Sequence, residues 1–180
     1  KIKFTQEQLD VLVGTLLGDG WLEKGKPHWK ARYGFKQKQG NAVYVDHIYE
    51  IMQNTVGTPP KKNRTDYQFK TLSLRNLDFY YNQFYPNGKK KVPRSIHRML
   101  TPRAIAYWFM DDGWNWNGNS NTFVFSTDGF EEADVRRLSK LLNTKFGLNT
   151  RVRLRTHTLY PRIFVYADCW ETFFKLIDPS

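Results

Sequence analysis

Cysteine is almost absent: Cys169 stands alone among 180 residues. That excludes an internal disulfide framework and any zinc site built on cysteines, and it suits a reducing, intracellular compartment. His28, His47, His97 and His157 are scattered without metal-ligand spacing, so a histidine-held metal is not expected either. No apolar run approaches the roughly 18 residues that a membrane span needs, and the first residues form no signal-peptide core. The expectation is a chain with no membrane partner that is not secreted. Acids are also scarce, 17 Asp and Glu against 28 Lys and Arg, for a net charge of +11. On a folded body such an excess points first to a polyanion, above all nucleic acid. Folding itself is not in question. The 40% hydrophobic and 16% aromatic content excludes disorder and suffices for one domain or two small fused halves.

What the chain does have is repetition. Leu12–Gly20 reads as an apolar helix running into Asp-Gly, and Ile105–Gly113 reads the same way. Asp19 and Asp112 lie 93 residues apart, the offset that also relates Tyr80-Tyr81 to Phe173-Phe174 and Pro86 to Pro179. Helices are expected over 5–19 and 102–112, each leading into two strands whose clearer members are 30–39 and 122–128. Second helices follow over 41–56 and 131–146, with Val45, Ile48 and Met52 in one and Val135, Leu138 and Leu142 in the other at helical spacing. Gly57 and Gly147 stand where C-terminal caps belong. Strands within 60–74 and 149–166 and a short aromatic helix complete each half. The predicted fold class is α+β, with two pseudo-symmetric αββαββα halves at 1–86 and 101–180. A basic linker, 87–100, joins them. Halves of this size are marginal alone, so they are expected to pack closely around a shared core.

The strands carry a second pattern. Arg151, Arg153 and Arg155 alternate with Val152 and Leu154, while Lys30, Arg32, Lys36 and Lys38 share a face opposite Ala31, Tyr33 and Phe35. A single such strand reads equally well as a solvated sheet face. Two of them, one per repeat, together with Lys61, Lys62, Arg64, Lys70 and Arg162, favour a nucleic-acid platform. On a sheet face in the major groove, Arg and Lys donate to guanine, and amides such as Gln68 pair with adenine. Trp114, Trp116, Tyr80, Tyr81, Phe173 and Phe174 are expected in the core. Trp21 and Trp29 are either core or DNA contacts.

Asp19 and Asp112 each end an apolar helix, where the helix dipole disfavours a carboxylate by a few tenths to about 1 kcal/mol. One such acid reads as a turn residue; two at matching repeat positions suggest a site that uses the charge. Gly14 and Gly18, four apart, leave one helix face bare for close approach of another backbone. Two converging carboxylates call for a proton or a hard cation, Mg²⁺ before others, with Ca²⁺ or Mn²⁺ able to substitute. Asp111 could offer a metal its backbone carbonyl, cap a neighbour, or do neither.

The two nine-residue motifs resemble the LAGLIDADG signature. The chain is similar to single-chain, two-motif LAGLIDADG homing endonucleases of the intron-encoded type, most closely over Leu100–Gly113 and Lys90–Pro93. The resemblance implies a monomeric, DNA-binding saddle with the motif helices at the interface between halves. It implies catalytic metals held by Asp19 and Asp112, with Gly18 and Asp111 as further candidate ligands. Gln37 or its neighbour Lys36, and Lys90, would join them as polar active-site groups; in the second half the corresponding role falls among Ser126 to Asp128 or on Arg155. An organellar host and double-stranded DNA hydrolysis follow from the same resemblance. The alternative is a maturase of this type, which would bind intron RNA and assist splicing. Tyr107 and Asp111 replace small residues of the signature, so the helix packing must be asymmetric. The chain ends at Ser180, where a counterpart of Asn87–Pro93, which contains Lys90, would begin. The expectation is either a truncated chain or a site with one basic partner that cuts the two strands at unequal rates.

Overall fold

The computed structural model describes residues 2–116, 122–154 and 160–178. The chain runs twice through one order of elements. The first pass is α1 (Gln6–Leu17), β1 (Trp21–Glu23), β2 (Arg32–Lys38), α2 (Ala42–Met52), β3 (Lys61–Asn63), β4 (Asp66–Lys70) and α3 (Asp78–Phe84). A short helix, α4 (Ile96–Met99), lies within the expected linker. The second pass is α5 (Pro102–Asp112), β5 (Gly113–Asn115), β6 (Phe123–Phe125), α6 (Glu132–Phe146), β7 (Thr150–Leu154), β8 (Pro161–Val165) and α7 (Trp170–Ile177). Each half holds one antiparallel four-stranded sheet, ordered β1-β2-β4-β3 and β5-β6-β8-β7. The α+β, αββαββα class read from the repeat is the observed one.

Both motif helices begin with a cap. The Thr5 hydroxyl accepts from Gln8 N while the Gln8 side chain accepts from Thr5 N, a reciprocal pair worth about 1 kcal/mol. Gln8 also donates to Ile51 O and Asn54, tying α1 to the end of α2. Thr101 caps α5, with Pro102 in the first turn, where a missing N–H costs nothing. The Thr101 hydroxyl donates in turn to Asp10 of α1, so the start of the second motif helix is fastened to the first.

The segment Val11–Leu17 is buried on all sides, which is why it is apolar except for Thr15, whose hydroxyl is hydrogen-bonded to Val11 O and Tyr33, instead of striped. α1 packs against α5 more extensively than any other two helices pack. A β-carbon on Gly14 would stand 2.3 Å from Ala104 O and 2.9 Å from Tyr107 Cβ; only a bare backbone admits the partner this closely. Beneath the helices the sheets alternate as expected. Tyr33, Phe35 and Phe69 in one half, and Phe123, Phe125, Ile163 and Val165 in the other, point into the core. α2 and α6 cover that side through Val45, Ile48 and Met52, and Val135, Leu138 and Leu142. α6 ends at Gly147 with φ 68°, its N–H bonded to Leu142 O, a left-handed cap that suits glycine.

Several local expectations are corrected. Gly57 is no helix cap: α2 stops at Met52, a 3₁₀ turn runs over Gln53–Thr55, and Gly57 lies beyond it. The strand expected to reach residue 74 ends at Lys70, with one further bridge from Ala31 to Leu74. α1 ends two residues before Asp19, whereas α5 includes Asp112. Trp114 and Trp116 are not core residues. Trp114 lies cross-strand from Val124, on the sheet face opposite Phe123 and Phe125, where it packs with Trp116, and Trp116 with Phe164. Tyr80, Tyr81 and Phe174 border the core and Phe173 is fully inside it.

Candidate active site

The end of α1 is built from three directions. Gly18 N and Gly20 N both donate to Thr15 O, at 3.0 and 2.7 Å, so that carbonyl is taken. The acceptor for Asp19 N comes from the other half: Asp111 Oδ2, at 2.9 Å. Three carbonyls at the helix end, Leu16 O, Gly18 O and Gly20 O, accept from Lys90 Nζ at 3.0, 3.1 and 2.6 Å. An ammonium placed there answers the negative end of the helix dipole. The Asp19 side chain is exposed, and its Oδ2 accepts from Gln37 Nε2 at 2.7 Å. Gln37 is itself oriented by Asn41, whose Nδ2 donates to Gln37 Oε1 at 3.3 Å.

Asp112 is set differently. Burial, and then the charge of Asp19, raise its pKa to about 8 against the opposing pull of Lys90. The Trp108 indole N–H lies close enough to lower that value, yet it makes no hydrogen bond of proper geometry and is left as a buried donor without a partner. Burial pushes Lys90 below the ordinary lysine range while Asp112, Asp111 and Asp19 pull it back up. Asp111 is driven well above the carboxylate range, first by burial, although hydrogen bonds from Tyr44 and Asp19 N work against it.

Strand register identifies the second-half counterpart of Gln37. Trp21 pairs with Gly34 and Trp114 with Val124, so Gln37 and Thr127 occupy matching places. Thr127 is buried, and its hydroxyl donates to Pro161 O at 2.8 Å; it does not serve Asp112. Ser126 N donates to Asp112 O, and the Ser126 hydroxyl accepts from Trp114 Nε1. A cleft of about 220 Å³ opens beside Asp112, lined by Gly18, Lys90, Ser126, Thr127 and Gly129 among others.

The oxygen donors of Asp19 and Asp112 suit a hard divalent cation. Among the described residues no three acids, histidines or cysteines gather closely enough to hold a metal unaided. Mg²⁺ does not require that, because it is commonly bound by one or two carboxylates plus water and phosphate oxygens. An Asp112 proton held until about pH 8 marks an uncompensated negative charge that such a cation would relieve. Gly18 O is already engaged by Lys90, and the Asp111 carboxylate by Asp19 N and Tyr44.

The sheet faces turned away from the helices carry the cations. Arg32, Lys36 and Lys38 are exposed along β2, Lys61 and Arg64 at β3 and its turn, and Arg151 and Arg153 along β7. Lys30 is exposed in the loop before β2. Gln68 and Lys70 face outward on β4, opposite Lys36 and Gly34. Lys62 does not join them, because it lies cross-strand from Tyr67, whose ring points toward α2. Arg155 lies outside the described residues. On the first face Glu23 gathers Arg32, Lys70 and the Trp21 indole. Burial alone would raise Glu23, but those three donors outweigh it and hold its carboxyl below the usual range. On the second face the arginines lie over rings: Arg151 on Tyr166, Arg153 on Phe164 and Arg162 on Trp114. Arg162 is also paired through two hydrogen bonds with Asp128.

Acids brought together by two packed helices, flanked by sheet faces lined with cations, form the arrangement of a nuclease built by duplication. The chain belongs to the LAGLIDADG DNA endonuclease family, whose signature matches residues 9–168. A probable intron-encoded endonuclease of Wickerhamomyces canadensis is 30% identical over 188 residues, covering 96% of this chain and 79% of that protein. The DNA endonuclease I-ChuI of Chlamydomonas applanata is 32% identical over 174 residues, covering 86% and 80%. The solved structure of the homing endonuclease I-WcaI bound to its DNA recognition sequence superposes with a TM-score of 0.89 at 28% identity, covering 99% of this chain and 84% of that one. A cytochrome b mRNA maturase of Saccharomyces cerevisiae, bI2, is 27% identical over 191 residues, and the chain spans 44% of its length.

Proposed function

We propose that this homing-type DNA endonuclease cuts both strands of a specific duplex site as a monomer, with divalent cations held by Asp19 and Asp112. The observation that carries the reading is the delivery of these two acids by α1 and α5 to one place, with each helix seated against the other. A cation bound there would lower the pKa of a water and offset charge developing on the phosphate. The chain's own residues do the rest. Gln37 fixes the rotamer of Asp19, and Lys90 holds the end of α1 while placing a positive charge beside Asp112. Lys36, Lys61, Arg151 and Arg153, which make no ion pair among the described residues, supply DNA contacts. Arg32, Lys38, Lys70 and Arg162 are braced by Glu23, Asp66 and Asp128.

Asp19→Asn or Asp112→Asn is expected to abolish double-strand cleavage in Mg²⁺ while DNA binding in Ca²⁺ stays within a few fold of wild type. Wild-type cutting of both strands by either variant would refute the metal assignment. The similarity to a maturase supports a second reading, assistance to splicing of an intron RNA. Retention of both acids favours cleavage, and an in vitro splicing reaction with and without the protein separates the two. The intron-encoded relatives support an organellar origin.

A further inference from the structure

Asp111 occupies a place where its repeat counterpart, Gly18, has no side chain. The two positions meet: a β-carbon on Gly18 would stand 2.5 Å from both Asp111 Cβ and Asp111 Oδ2. The carboxylate therefore fills the space that the glycine leaves. Its two oxygens have separate partners in the first half. Oδ2 accepts from Asp19 N at 2.9 Å, and Oδ1 accepts from the Tyr44 hydroxyl at 2.5 Å. Tyr44 sits on α2 with its ring edge-on to Phe35, centroids 5.4 Å apart, so the hydroxyl is aimed by a packed ring. The connection runs one way. Asp111 reaches across the interface to Asp19 N, whereas Gly18 has nothing with which to reach Asp112.

We infer that Asp111, oriented by Tyr44, is a positioning residue for Asp19: a carboxyl group of the second motif that fixes the backbone of the first. It rests on the reading of Asp19 as a metal-binding acid. With its backbone N–H bonded to Asp111 and its carboxylate to Gln37, Asp19 is held at both ends, so its free oxygen points in one direction. A group that acts by accepting a hydrogen bond does not need a negative charge. An amide in its place still offers one oxygen to Asp19 N, and its NH₂ can donate to the Tyr44 oxygen.

The test separates this role from direct metal ligation. In metal-free protein, amide hydrogen exchange at Asp19 is expected to speed up at least about tenfold in Asp111→Ala, which removes the acceptor, and to stay within about threefold of wild type in Asp111→Asn. In Mg²⁺, Asp111→Ala is expected to slow by about 10–100-fold whichever strand cuts fail in Asp19→Asn, as loss of an outer-shell partner does, while Asp111→Asn cleaves near the wild-type rate. Tyr44→Phe keeps the ring and removes only the hydroxyl; it is expected to slow the same cuts and to serve where Asp111→Ala does not fold. Unchanged Asp19 exchange in folded Asp111→Ala overturns the inference. So does an Asp111→Asn variant as inactive as Asp19→Asn, which would make the charge itself the requirement. If Asp19→Asn cuts normally, the active-site reading fails, and the exchange measurement still decides whether Asp111 fixes that backbone.

Discussion

Asp112 in the folded, metal-free protein keeps its proton until about pH 8, whereas in an unfolded chain it loses it near pH 4. Between those values the folded state binds more protons than the unfolded one, so stability falls as pH rises. The contribution is complete below about pH 4 and gone above about pH 8. For a single proton the slope is at most about 1.4 kcal/mol per pH unit. Thermal melts in EDTA at stepped pH are expected to show this fall, and Asp112→Asn, which has no proton to lose, to reduce it to the part that Asp111, also held above the carboxylate range, still contributes. Mg²⁺ favours the ionised acid, so its stabilising effect should grow across the same interval. A pH profile in EDTA identical for wild type and Asp112→Asn would show that Asp112 titrates at its ordinary value.

At the scale of elements, the closeness of α1 to α5 is set at Gly14, where the neighbour is a backbone oxygen that cannot swing aside. Gly14→Ala is therefore expected to cost about 1–3 kcal/mol in chemical denaturation, as overpacking does, and to depress cleavage more than DNA binding, because it moves the acids apart. Stability equal to wild type would mean that the helices separate freely. The sheets differ from each other in kind. Lysines dominate the first face and are partly committed to Glu23 and Asp66. Arg151 and Arg153 on the second face carry no carboxylate partner among the described residues and rest on aromatic rings. A guanidinium held over a ring has fewer orientations to lose when it makes bidentate contact with guanine. Arg153→Ala is expected to lose about 1–3 kcal/mol of binding and to relax preference at one base pair; an equal loss on every sequence would make it a phosphate contact. This contrast was only half legible in the chain. The period-two alternation around Arg153 showed which side of β7 is charged, but Phe164 lies on the partner strand and Tyr166 just past its end, and no local pattern pairs them with arginines. Trp114 and Trp116 misled for a related reason: large aromatics next to a buried helix look like core, and only strand register puts them on the outer face.

In the whole molecule the duplication is plain and its symmetry is incomplete. The repeat of Asp-Gly at a fixed offset was enough to give the order of elements and to nominate Asp19 and Asp112, since those depend on position along the chain, whereas Gln37 or Lys36, and Lys90, were nominated only by the resemblance to the family. The contacts made across the chain were not readable, because Asp111 with Asp19 N, and Lys90 with three carbonyls in and just after the last turn of α1, join segments 70 or more residues apart. Those contacts are also where the halves part company. Asp19 is exposed, has an amide partner and is fixed through its backbone. Asp112 is half-buried and shares its surroundings with an ammonium, and the residue in the register of Gln37 is turned away from it. Two acids so differently placed should not serve two strands equally. On supercoiled plasmid bearing the site, the expected course is accumulation of a nicked circle before linear product, with first-order rates for the two cuts differing by about 3-fold or more, the effect of under 1 kcal/mol in barrier. End-labelling each strand would show the same strand cut first in most molecules, about three quarters of them at a 3-fold difference. Gln37→Ala sharpens the comparison, because it removes a partner that only Asp19 has: it should slow one cut and leave the other nearly unchanged. Equal rates in the wild type, or equal slowing of both cuts in Gln37→Ala, would mean that the two acids act as one shared centre despite their different surroundings.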